Sequence, residues 1–580
     1  MEGVDLSLHD GLMDHIGLLM AETSRENANI GTSPAAKMLQ IGSAASRQYY
    51  LERLIPSTFA SAHRSGDIHI HDLDFYSLTL TCVHIPLGRL LACGFNTGHG
   101  FTRPPRRPAS AAALAAIIIQ SSQNDMHGGQ SYARFDTDMA DYVGNCPYPE
   151  ALQAMEAFVY NLNTMHSRAG AQVPFSSVNL GCDTTPQGRQ VTRALLEAYG
   201  KGLGRGETPV FPNIIFRVKR GVNLEPGDPN HDLLQNACAI AARRMNPTFS
   251  FMDAPGNEQY GDEVAYMGCR TRVISNRRGP EVSDGRGNLS FTSINLPRLA
   301  LRARGDVGAF MSALDSTIGL AADQLLHRFG IQARARVRDM PFLMGQGLYI
   351  GSGELGRDDE IRPAIVNGTL SIGFIGLAEA LIALTGHHHG EDDEAQRLGT
   401  EIVGRMRKRV DELSEEHDLN FSLLGTPAEG LSGRFVALDR AIFGVVPGVT
   451  DREFYTNSFH VPVWAPASAW HKISVEGPYH RLCNAGHISY VEFQQAPEEN
   501  WQAVYSIVRA MSRAGMGYGG VNFPLDECRS CGASGTFAGD CPACGSADVV
   551  RLRRITGYLA PQHMFNPAKQ AELESRRSHV

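Results

Sequence analysis

Two cysteine pairs near the end of the chain, Cys528-Arg-Ser-Cys531 and Cys541-Pro-Ala-Cys544, constrain its fold more than any other feature. Nine residues separate them. Two CxxC pairs this close can bring four sulfurs onto one tetrahedral zinc ion. Each pair curls a tight turn, and Gly532 and Gly545 directly after them supply the backbone such turns favour. The spacing predicts a zinc ribbon with Cys528, Cys531, Cys541 and Cys544 as ligands. Gly557 follows thirteen residues after the last ligand, within Arg554-Ile555-Thr556-Gly557-Tyr558. Alone, a glycine before a tyrosine is a turn residue, and a zinc ribbon alone often binds nucleic acid.

Eleven cysteines in 580 residues do not make a disulfide scaffold; four go to zinc and the rest are scattered, as expected in a reducing cytoplasm. The first residues lack the basic and apolar regions of a secretion signal. The longest apolar runs, such as 111–119, are too short to span a bilayer. A net charge of −8 advertises no nucleic-acid polymer as partner, although Arg103, Arg106 and Arg107 could hold a nucleotide.

Apolar residues recur at helical spacing through 12–19 and 35–54, so residues 1–60 read as a helical segment. Ile68 and Ile70 alternate with His69 and His71, which predicts a strand with both imidazoles on one face. Such a face could bind a metal or hydrogen-bond a ligand. Cys82 falls in a second strand-like run, 78–87. A helix over 109–123 breaks at Asp125-Met126-His127-Gly128-Gly129. Helices over 151–165 and 232–244 alternate with strands near 169–179 and 209–216, the signature of an α/β architecture. Cys269, in Met267-Gly268-Cys269-Arg270, lies between strand-like runs 248–252 and 289–295 and so on a loop.

The glycines of 368–376 precede no Lys-Ser/Thr and are not a phosphate loop; they read as close packing. His387-His388-His389 reads as a solvated loop. Thr456, Asn457 and Ser458 can bind phosphate through backbone N–H groups or cap a helix. Runs 473–480 and 484–492 read as strands carrying Glu476 and Glu492, carboxylates able to do acid/base work.

The cysteine pairs, the Arg554-Ile555-Thr556-Gly557-Tyr558 phrase, and Met267-Gly268-Cys269-Arg270 followed by Gly287-Asn288 and Ile294-Asn295-Leu296-Pro297 resemble the anaerobic (class III) ribonucleotide reductases, a glycyl radical enzyme family. The resemblance runs from about 26 to 558. It implies an α/β fold: a ten-stranded barrel of two antiparallel five-stranded halves around a central finger loop, over 61–525. The helical segment 1–60 would precede it, without the ATP-cone many relatives carry. The ribbon would occupy 526–548, and the glycyl radical loop and tail 549–580. It also implies reduction of ribonucleoside triphosphates to deoxyribonucleoside triphosphates in the cytoplasm, in a homodimer governed by deoxynucleotide and ATP effectors. The segment around His127 to Ser131 resembles one near the family's dimer interface.

In that reading Gly557 stores a stable backbone radical. With no Cβ its α-carbon can flatten and share the electron with both flanking amides. A separate activase, with S-adenosylmethionine and an iron–sulfur cluster, installs it. Cys269 becomes the transient thiyl, since an S–H bond is close in strength to a glycine α-C–H and a ribose C3′–H. Cys82 donates hydrogen on the face that loses water. Asn295 hydrogen-bonds the ribose or merely holds backbone; His69 or His71 touches the nucleotide; Thr456, Asn457 and Ser458 take its phosphates; Glu476 or Glu492 serves at the 2′ position. Formate or a thioredoxin-like protein supplies electrons: Met267 and Asn295 agree with the formate type, the 125–131 and 476–487 phrases with the redoxin type. A formate-lyase or dehydratase would share Gly557 and Cys269 but lacks the ribbon.

Overall fold

The computed structural model describes residues 33–77, 79–268 and 270–580. Its framework is a run of parallel strands, each reached through a helix. Val83–His84, Gln130–Tyr132, Ser176–Leu180, Asn213–Val218 and Thr248–Phe251 pair in that order, all parallel. Tyr518–Asn522 joins antiparallel beside Thr248–Phe251 and carries Ser489–Glu492 parallel on its far side. A second sheet pairs Asn288–Asn295, Thr369–Ile375 and Asn420–Gly425 in parallel, with Ile68–Ile70 antiparallel at its edge.

Two seams join the sheets. The Cys82 N–H donates to Asn288 O (3.1 Å) and the His84 N–H to Arg286 O (2.8 Å). At the other side Leu424 and Gly486 form a parallel bridge. The seams thus bring the seven-stranded and four-stranded sheets side by side. Most of these strands are buried along their whole length, as expected where helices cover a parallel sheet.

The inward positions are unusually polar, and they are spent on the loop inside. Tyr266–Met267 and Thr271–Arg272 form a small antiparallel hairpin, the finger loop. The Asn179 side chain donates to Tyr266 O (2.8 Å) and accepts from its N–H (3.1 Å); Ser177 Oγ accepts from the Gly268 N–H (3.2 Å). Buried polar groups must be paired, so this inner polar lining specifies where the hairpin sits.

Pro34–Tyr49 begins as the sequence predicts, with Pro34 in the first turn and Ser33 Oγ accepting from the Ala36 N–H. The helical reading of 12–19 lies outside the described residues. One strand expectation fails. Residues 473–480 belong to a helix, Ala469–His480, capped by Ser468 and continuing through Pro478 in its last turn. His388 and His389 are buried rather than solvated, and His389 Nε2 lies 2.8 Å from Phe459 O. No helix among the described residues is long and apolar enough to cross a membrane.

Candidate active site

The ribbon and the predicted radical loop are one sheet. Leu525–Cys528, Ser534–Gly535, Val549–Arg554 and Leu559–Pro561 pair antiparallel, and the last two strands form a hairpin. The Ile555 N–H donates to Tyr558 O (3.0 Å), so Thr556 and Gly557 are its two turn residues, both buried. The four cysteine sulfurs lie within 4.8 Å of one another, with Cys528–Cys544 and Cys531–Cys541 at 3.6 Å. Zn–S bonds of about 2.3 Å give a tetrahedral edge of about 3.8 Å, so the donor set fits zinc in kind and in spacing.

The radical loop reaches the finger loop. Gly268 has φ +56°, a conformation glycine adopts freely, and turns the hairpin at its tip. Cys269 lies outside the described residues, but its neighbour Arg270 is almost fully buried and donates to Thr556 O (2.8 Å) and to Gly425 O (3.0 Å). Phe175 touches both loops. Its ring is edge-on to Tyr558 at 5.4 Å, and a Cβ on Gly268 would meet it at 3.0 Å. Arg554 donates to Gly557 O (3.4 Å) and to the Asn522 side chain (2.8 Å).

A cavity of about 1130 Å³ opens beside this contact. Gly268, Tyr558, Cys82, His69, His71 and Asp72 are among its walls. Cys82 packs on Met267 and Val273. The Gly128-Gly129 pair presses against it: a Cβ on Gly128 would lie 1.9 Å from Thr81 O and 3.1 Å from Cys82 Sγ. That close approach accounts for Gly128, which the sequence offered as a helix end and as part of a segment resembling one near the family's dimer interface.

His69 and His71 face the same side, 4.6 Å apart. Burial pushes the His71 imidazole down to about 4 against the pull of Asp72, and drives His69 well below its usual range. Both are neutral at pH 7, hydrogen-bonding groups rather than cations. His71 Nε2 lies 2.8 Å from Ser293 Oγ. Asp72 would be raised by burial, but His127, at 3.3 Å, holds it low and ionised. Positive charge at the cavity comes from Arg47, Arg64, Arg168 and Arg434.

The other expected residues lie elsewhere. Asn295 caps the helix Leu296–Ala303, accepting from the Arg298 N–H (3.2 Å) and donating to Gly66 O and Asp439 (both 3.0 Å). Glu476 is fully buried on its helix, paired with Lys472 and accepting from Ser489 Oγ (2.5 Å). Thr456 donates through N–H and hydroxyl to Glu379 (2.9 and 2.7 Å). Thr456, Asn457 and Glu492 border a separate cavity of about 40 Å³ behind the radical loop, and Ser458 is buried. None of these residues is among the walls of the large cavity. Asn295 caps a helix, and Glu476 and Thr456 pair with buried groups. Glu429 and Arg434, which do line the large cavity, were missed. Thr426-Pro427-Ala428-Glu429-Gly430 signals a helix start, not what Glu429 faces across the chain.

The fold and the paired loops define a glycyl radical enzyme. A solved anaerobic ribonucleotide reductase matches at a TM-score of 0.78 and 18% identity, over 98% of this chain and 94% of that one. The Thermotoga maritima anaerobic ribonucleotide reductase in complex with dATP and CTP matches at 0.73 and 17%, over 98% and 100%. Hydroxyproline dehydratase from Clostridioides difficile matches at 0.67 and 10%, over 99% and 89%. The family model described as anaerobic ribonucleoside-triphosphate reductase matches residues 26–579. The enzyme of that name from Escherichia coli (strain K12) is 35% identical, over 97% of this chain and 84% of its own. The one from Enterobacteria phage T4 is 31% identical, over 96% of each. The chain belongs to the anaerobic ribonucleoside-triphosphate reductase family. It is an oxidoreductase, and the reductase reading holds over the formate-lyase or dehydratase one.

Proposed function

We propose that Gly557 stores the radical, that Cys269 relays it, and that Cys82 is the second thiol at a ribonucleoside triphosphate bound in the large cavity. The observation that carries this is the Arg270 bond to Thr556 O, at 2.8 Å. It ties the residue after Cys269 to the residue before Gly557. Gly557 takes a hydrogen atom from the Cys269 thiol, and the sulfur radical then takes the C3′ hydrogen. The 2′-hydroxyl takes up a proton and leaves as water, Cys82 gives a hydrogen atom at the opened position, and one electron of the reductant's pair with a proton restores the Cys82 thiol while the other reduces the sugar. Formate or a redoxin supplies the electron pair, and C3′ regains its hydrogen from Cys269. The neutral His69 and His71 suit ribose or base hydroxyl and amide groups, while Arg47, Arg64 and Arg434 suit the phosphates. Near-contact of sulfur and C3′, sheltered from water and oxygen, is the protein's main contribution.

Zinc on the four cysteines would hold the sheet whose hairpin presents Gly557. A radical-SAM activase installs the radical, and deoxynucleotides or ATP act as effectors on a dimer. The Thermotoga maritima enzyme has been solved with dATP bound in the specificity site, which supports the effector reading. The test is anaerobic activation of two variants. Gly557→Ala should abolish the radical doublet in electron paramagnetic resonance. Cys269→Ser should keep the doublet and stop deoxynucleotide formation. A doublet in the first, or turnover in the second, overturns the assignment. Parallel assays with formate alone and with a reduced thioredoxin system identify the reductant.

A further inference from the structure

We infer that Glu429 is a positioning residue that clamps the radical loop to the barrel wall through the side chains on either side of Gly557. Its Oε1 accepts from Thr556 Oγ (3.4 Å) and its Oε2 from the Tyr558 hydroxyl (3.1 Å). One carboxylate thus spans the residue before the glycine and the residue after it. A turn held by the side chain of Thr556 within it and of Tyr558 beside it resists rolling about its strand axis, and rolling is the motion that would swing the Gly557 α-carbon away from the finger loop.

The rigidity comes from where Glu429 is anchored. It stands directly before the helix Gly430–Phe443, at the end that favours negative charge. It follows the strand Asn420–Gly425 by a short turn, and that turn's Gly425 and Thr426 carbonyls accept from Arg270. One stretch of chain therefore holds the finger loop by its backbone and the radical loop by a side chain. Arg270 and Arg554 hold the turn itself by backbone carbonyls, at Thr556 O and Gly557 O. Burial raises the Glu429 carboxyl, while the Tyr558 bond, Lys569, the Thr556 bond and Arg168 pull it back.

This inference rests on Gly557 as the radical site. The chemistry needs the hydrogen donor and acceptor in near contact, and misplacement of about 1 Å costs about 100-fold in rate. Glu429→Ala, activated with the radical-SAM activase and normalised to radicals counted by spin quantitation, should lose about 100-fold in kcat with KM within about twofold. Glu429→Gln keeps the shape and one good acceptor, and should recover most of that loss. Thr556→Val with Tyr558→Phe removes the same two bonds from the other side. It should match Glu429→Ala and add nothing to it, the mark of one shared interaction, and it decides the matter if Glu429→Ala does not fold. Parent-like kcat per radical in Glu429→Ala, or fully additive losses, overturns the clamp. A doublet surviving Gly557→Ala would instead fail the underlying assignment, so the two failures read differently.

Discussion

Single side chains here divide by what they face. Thr456 has the chemistry to bind a phosphate, yet both its donors go to Glu379, a buried carboxyl that burial pushes up to about 7 against the Thr456 bonds. Thr456→Val removes one of two donors from that carboxyl. It should cost about 1–3 kcal/mol, seen in chemical unfolding, with KM for the nucleotide within about twofold. A tenfold rise in KM at unchanged stability would return Thr456 to the substrate. Cys82 is the contrasting case, a small buried thiol at the cavity wall. Cys82→Ser should leave the glycyl doublet at parental intensity and stop deoxynucleotide formation; sustained turnover would remove it from the reaction. Gly557 and Gly268 stood out in the sequence through the phrases they sit in, whereas the close approach of Gly128 to Thr81 O was not legible there. Asn295 and Glu476 could not be placed from spacing, because a polar side chain does one job at a helix cap or buried pair and another at a ribose, and spacing does not separate the two.

At the level of elements, the C-terminal unit was legible almost throughout. The CxxC pairs announce their own geometry, and the chain between Cys544 and Gly557 is too short to leave the sheet they anchor. What spacing could not announce is that the four cysteines and the turn carrying Gly557 share strands. Val549–Arg554 pairs with the strand ending in Cys528 on one side and with Leu559–Pro561 on the other. Because metal binding free energy is folding free energy in such units, loss of zinc should loosen the hairpin. Chelation, or Cys541→Ser, should lower the radical yield on activation and raise amide exchange across 549–561, while the barrel strands stay protected. Unchanged exchange in 549–561 after zinc removal would show that the hairpin is held by the barrel alone. The helix Ala469–His480 was misread because valine and isoleucine suggested a strand, whereas its buried Lys472–Glu476 pair has the four-residue spacing of a helix. The seams between the sheets were invisible, since each rests on a few backbone bonds rather than a side-chain pattern.

Over the whole molecule, the interior stores neutral histidines, and this sets its response to acid. Burial pushes His63, His84, His389, His487 and His579 down to about 3, and His71 to about 4, from an ordinary 6.5. A group depressed on folding contributes stability that is present above its unfolded value and is lost as pH falls toward its folded one. Between pH 6.5 and about 4 the unfolded chain therefore binds protons that the folded chain refuses. At pH 5 each fully buried imidazole costs about 2 kcal/mol relative to pH 7. Glu379 and Asp138, both raised to about 7 by burial, act in the opposite sense. Their contribution is present at acid pH and lost as pH rises through 7, but the depressed histidines outnumber them. The urea midpoint should accordingly fall steeply from pH 7 to pH 5. Glu379→Gln removes a group that, between about pH 4.5 and 7, keeps its proton only in the folded chain, so it should steepen the fall over that range. A midpoint level or rising toward pH 5 would mean that the buried imidazoles are charged in the native state, and the neutral, hydroxyl-facing role given to His69 and His71 would go with it.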